Sequence, residues 1–134
     1  MYQSCVVAAA LGVDIRTVET LVRISAGRRL QPGARGRSRL FRDDLVELFA
    51  VALLVRRDLG CPMAMAMQLA ESLLSADDST IRVGSLFRLG MDRDRLRRVV
   101  RQALADASAT VDLPRRGRPP RNAKRGAPGG APFV

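Results

Sequence analysis

The sequence predicts a mainly α protein: four helices, then a small strand-plus-helix piece, then a basic tail. Three observations predict this. Apolar residues recur at helical spacing over residues 6–11, 15–22, 45–55, 63–74 and 96–104. The first two stretches are separated only by Gly12-Val13-Asp14, a helix stop followed at once by a helix start. After Leu113 the composition turns to Pro, Gly, Ala and Arg, with no apolar period that could build a core.

Taken in order, Val6, Val7, Ala10 and Leu11 are spaced as one face of a short helix. Gly12 follows the last of them, where a left-handed residue closes a helix without a Cβ clash. Asp14 stands where an N-cap belongs, ahead of Ile15-Arg16-Thr17-Val18. In this second helix Val18, Leu21 and Val22 share a face and are expected to pack on the first helix. Arg16, Thr17, Thr20 and Arg23 lie away from it. Residues 26–41 then hold Arg28, Arg29, Arg35, Arg37 and Arg39, with Arg42 just beyond and no acid between. Pro32-Gly33 and Arg35-Gly36 punctuate the run as turns. Two readings stand: a hairpin wing on a phosphate backbone, or a solvated loop. Its place directly behind two tightly joined helices favours the wing, and the order is that of a winged helix-turn-helix. In such a motif the second helix enters the major groove with its N-terminal residues nearest the bases.

Leu11-Gly12-Val13, Thr17-Val18, Arg29-Leu30-Gln31-Pro32, Arg35-Gly36-Arg37, Arg39-Leu40-Phe41 and Asp43-Asp44-Leu45 together resemble the MerR type of winged helix-turn-helix. The resemblance spans roughly the first half of the chain. It implies a four-helix DNA-binding domain whose wing touches phosphates beside the recognition helix. Glu19 stands where that family usually has an arginine, Leu21 and Val22 replace an aromatic pair, and Phe41 replaces a tyrosine.

Asp43 and Asp44 open the third helix at its positive dipole end. From Leu45 to Val55 almost no polar face remains, which predicts burial on more than one side, against the C-terminal piece or a second subunit. Arg56, Arg57 and Gly60 end the helix. Pro62 is expected in the first turn of a fourth helix carrying Met63, Met67, Leu69, Ala70, Leu73 and Leu74. Cys61, Met63, Met65 and Met67 alternate, and soft sulfur ligands select copper(I). On a helix, however, the sulfurs diverge and the residues read as adaptable core filler. Residues 80–89 read as a strand or hairpin. A helix then runs from about Arg93 to Ala107, with Leu96, Val99, Val100, Ala103 and Leu104 as its stripe and Arg93, Arg95, Arg97, Arg98 and Arg101 coating the rest. This piece is too small to fold alone. It has to dock on the first part or pair between chains across a two-fold axis. The organisation predicted is a winged helix-turn-helix over residues 1–75, an appendage over 76–111 and a disordered basic tail over 112–134.

Within the tail, Arg116-Gly117-Arg118-Pro119 is similar to an AT-hook core. Glycine lets the backbone sit on the minor-groove floor, the arginines splay along an A-tract, and proline holds the chain extended. A generic basic tail is the competing reading.

The chain of 134 residues carries a formal charge of +10, which points to a polyanion as partner. Lys124 is its one lysine, and arginine suits bidentate guanine and phosphate contacts. Cys5 and Cys61 fit free thiols of a reducing cytoplasm. With no histidine, no phosphate loop and no zinc spacing, the chain reads as a non-enzyme without cofactor, metal or membrane span. The expectation is therefore a sequence-specific binder of double-stranded DNA. It would be a homodimeric transcriptional regulator of a bacterial or phage cytoplasm, contacting DNA through Arg16, Thr17, Thr20, Arg23, Arg35, Arg37, Arg39, Arg116, Gly117 and Arg118. The alternatives are an architectural nucleoid protein, a DNA-recognition subunit of phage packaging or recombination machinery, or a metal-responsive regulator.

Overall fold

The computed structural model describes residues 1–25 and 40–111. The predicted wing arginines Arg35, Arg37 and Arg39 and the Arg116-Gly117-Arg118 motif lie outside these residues. Five helices make up most of the described chain: α1 (Ser4–Leu11), α2 (Ile15–Ser25), α3 (Asp43–Leu59), α4 (Met63–Ser75) and α5 (Arg93–Thr110). Two small antiparallel sheets complete it, β1 (Tyr2–Gln3) with β2 (Leu40–Phe41) and β3 (Thr80–Val83) with β4 (Phe87–Gly90). Among the described residues no helix is long and apolar enough to cross a membrane.

The α1–α2 turn forms as its residues dictate. Gly12 is left-handed at φ 67°, and the N–H groups of Gly12 and Val13 donate to the carbonyls of Ala9 and Ala8. Asp14 then caps α2 by accepting from the Thr17 N–H at 2.8 Å. Val18, Leu21 and Val22 are buried, as their shared face predicts. Helix α3 starts on Asp43 and Asp44, ends at left-handed Gly60 and buries Leu45, Val46, Leu48, Phe49, Val51 and Val55. Phe41 of β2 is buried edge-on against Phe49, with ring centroids 6.0 Å apart.

The strand-plus-helix piece docks on the rest of the same chain. Helix α5 packs against α1 and α3, and Leu96, Val100, Leu104 and Ala107 join the same apolar cluster as Val7, Leu21 and Phe49. Glu47 of α3 meets Arg97 of α5 at 3.8 Å. The strand needs no two-fold partner, because β3 pairs with β4 in register Ile81↔Leu89 and Val83↔Phe87. Arg93 does not coat the outside: it is half-buried, and its guanidinium donates to the Leu74 carbonyl at 2.9 Å, fastening the start of α5 to the end of α4. Pro62 occupies the cap position, with φ −59° and ψ 152°, so α4 begins one residue later than its proline predicts. On α4 Met67 is buried, Met63 half-buried and Met65 exposed, so the sulfurs point in different directions.

The pairing of Tyr2 with Phe41 and of Gln3 with Leu40 has no counterpart in the sequence reading. This sheet joins the strand that leads into α1 to the strand that leads into α3.

Candidate nucleic-acid interface

The outer face of α2 is built by subtraction. At 100° per residue, burial of Val18, Leu21, Val22 and Ser25 turns Arg16 and Arg23 to the middle of the opposite face. Glu19 and Thr20 flank them, and all four are exposed. Ile15 and Ile24 form the margins of this face and are 47% and 37% exposed. Sequence reading passed over both isoleucines, although their helical positions, off the buried stripe, place them there. Among the described residues no ion pair ties Arg16 or Arg23 to Glu19, so both guanidinium groups keep their donors for an external acceptor.

The threonines are more committed. Thr17 is half-buried, and its hydroxyl donates to the Asp14 carboxylate at 2.6 Å. The Thr20 hydroxyl donates to the Arg16 carbonyl at 2.9 Å. Each hydroxyl proton is thus used inside the helix, which leaves the oxygens as acceptors for a base amino group. Thr17 belongs to the cap as much as to the face. The Thr17 hydroxyl, with its backbone N–H and then Arg16, holds the Asp14 carboxyl below the usual aspartate range. Asp14 is therefore ionised at neutral pH, and the N-terminus of α2 presents a negative cap beside Arg16, while Arg23 lies in the last turn.

Charge is distributed unevenly along the chain. Residues 1–25 and 40–111 contain twelve arginines against twelve carboxylates, a net charge of zero. Residues 26–39 add five arginines and no acid, and residues 112–134 add six cations against Asp112. These two segments account for the whole +10, five charges each. One of them directly follows α2, so the exposed face of that helix and a cationic segment are consecutive in the chain. The exposed arginines of α5, Arg95, Arg98 and Arg101, are balanced elsewhere on a neutral body.

Comparison with known protein families, with characterised proteins and with solved structures found no match.

Proposed function

We propose that the chain is a non-enzymatic, sequence-specific DNA-binding protein of winged helix-turn-helix architecture, acting in transcriptional regulation. The observation that carries this reading is the capped, rigidly seated helix α2. It turns Arg16, Thr20 and Arg23 outward from a turn closed by Gly12 and Asp14. A helix with a buried stripe and an exposed arginine-threonine face is the element that reads base edges in a major groove. Residues 26–39, with Arg35, Arg37 and Arg39, would then serve as the phosphate-binding wing. Arg116-Gly117-Arg118 would add a minor-groove contact at AT-rich sequence.

The concentration of all the net charge in residues 26–39 and 112–134 of the sequence also favours a second reading, an architectural protein that binds phosphate without reading bases. Selection of bound duplexes from a random pool separates the two. Regulation requires a single enriched motif, bound about 10³-fold or more above competitor DNA at fixed salt. A flat pool with a ratio near one would reject the regulatory reading and leave the architectural one.

A further inference from the structure

Beside the proposed DNA-binding face, and independent of it, the body carries an apolar groove and an apolar knob next to each other. The groove lies between the C-terminal half of α3, strand β4 and the first turns of α5, with a volume of about 440 Å³. Val51, Leu54, Leu59, Leu89, Met91 and Val99 form its walls. Leu59 is 52% exposed there and continues the apolar surface of the groove.

The knob is the tip of the β3–β4 hairpin. Side chains alternate along a strand, so Ile81, Val83, Phe87 and Leu89 share one face and Arg82 and Arg88 the other. Ile81 and Leu89 pack on the core. Two residues further out, about 7 Å along the strand, Phe87 has run past the edge of the body and is 71% exposed. Leu86 in the turn is 86% exposed. Leu89 is thus both the wall of the groove and the root of the knob.

We infer that this face joins two copies of the chain: Leu86 and Phe87 of each copy enter the groove of the other across a two-fold axis. A knob and a hole on one face are self-complementary, and a two-fold axis between them satisfies both at once, which closes the assembly at a dimer. Charge fits the same occupant. Arg82 and Arg88 stand directly opposite each other in register, an arrangement that costs stability. Among the described residues neither has an acidic partner. The groove mouth presents Asp58, whose carboxylate also meets Arg57 at 2.9 Å, and Asp92, which caps α5 by accepting from the Arg95 N–H at 3.0 Å, alongside the Arg95 side chain. Insertion of the knob brings the arginine pair of one copy to the carboxylates of the other. A hairpin of this kind also explains why an α-rich body keeps a short, exposed, two-stranded element.

The test uses the full-length chain and no DNA. Sedimentation velocity over a concentration series is expected to show a monomer–dimer equilibrium. Leu86→Ser with Phe87→Ser alters only exposed side chains and leaves the helical circular dichroism unchanged. Each lost anchor weakens association about tenfold, and symmetry turns two anchors per copy into four per dimer, so the dimer dissociation constant rises on the order of 10⁴-fold. In a Cys5→Ser, Cys61→Ser background, Leu86→Cys protein mixed with Leu59→Cys protein is expected to give a disulfide-linked heterodimer. A wild-type chain that sediments as a monomer throughout overturns the inference. A dimer that survives the double serine variant unchanged, with no 86–59 crosslink, also overturns it.

Discussion

Removing the tail is expected to change the salt dependence of DNA binding by an amount fixed by the charge distribution. A chain ending at Leu113 loses Arg115, Arg116, Arg118, Arg121, Lys124 and Arg125 and no acid. It keeps all of α5, whose last turn ends at Thr110, so the folded body is untouched. If all six cations neutralise phosphates, the slope of log affinity against log salt flattens by about 0.9 for each, roughly five in all. Six such contacts correspond to about 10³ in affinity between 50 and 200 mM salt. Changing Arg35, Arg37 and Arg39 to glutamine is expected to flatten the slope by about 0.9 per contact, up to roughly 2.7. The control is Arg95, Arg98 and Arg101 on α5, also changed to glutamine. They remove as much charge as the 35/37/39 set but belong to the neutral body, so the slope is expected to stay within error of wild type. Fluorescence anisotropy of one labelled duplex, titrated at several salt concentrations, measures all four proteins. Equal slopes for full-length and truncated chains would refute the reasoning, as would a loss of slope in the α5 variant alone.

Three further outcomes follow from particular contacts. Leu104 is fully buried where α5 meets the rest of the core, so Leu104→Ala is expected to cost about 2–5 kcal/mol and to lower the melting temperature in one cooperative transition; two separate transitions would show that α5 is not part of the same core. Asp14 has its folded-state pKa lowered by Thr17, so its stabilisation is present above the unfolded value of about 3.9 and is lost as pH falls through the folded one. Asp14→Asn keeps a capping oxygen that does not titrate, so the melting-temperature gap between wild type and this variant should close below about pH 4, and a constant gap from pH 7 to pH 3 would contradict that origin. For the tail, the full-length chain is expected to prefer a probe with an A-tract beside its core site over one with GC pairs there, while the chain ending at Leu113 is indifferent and netropsin removes the preference; equal weakening on both probes would make Arg116 and Arg118 ordinary phosphate contacts.

The helical skeleton was legible because its signals are local. Gly12 and Asp14 fix the α1–α2 turn through hydrogen bonds spanning no more than five residues, and the apolar spacing of α2, α3 and α5 chooses their buried faces without reference to anything distant. Features made by long-range packing were not legible. Tyr2 pairs with Phe41 across most of the first third of the chain, and a two-residue strand has no period to detect. Arg93 looks like one of five surface arginines, yet it reaches back nineteen residues to the Leu74 carbonyl. The threonines of α2 were readable as an exposed row, but the commitment of their hydroxyl protons to Asp14 and to the Arg16 carbonyl depends on rotamers that spacing alone does not set. The groove beside Leu59 is walled by residues of α3, β4 and α5 that lie more than thirty positions apart in the chain, such as Val51 and Leu89, so no local pattern announces it.

Base reading is proposed for the outer face of α2, and one measurement addresses it. Arg16→Ala with Thr20→Ala alters two exposed side chains and leaves Val18, Leu21 and Val22 in the core. The quantity to measure is the ratio of affinity for the selected duplex to affinity for competitor DNA at one salt concentration, with thermal unfolding run alongside. Each good base contact is worth about 1–3 kcal/mol of discrimination. The ratio is therefore predicted to fall by roughly tenfold or more per residue, while the melting temperature holds. An unchanged ratio in a correctly folded double variant would mean that α2 does not read DNA.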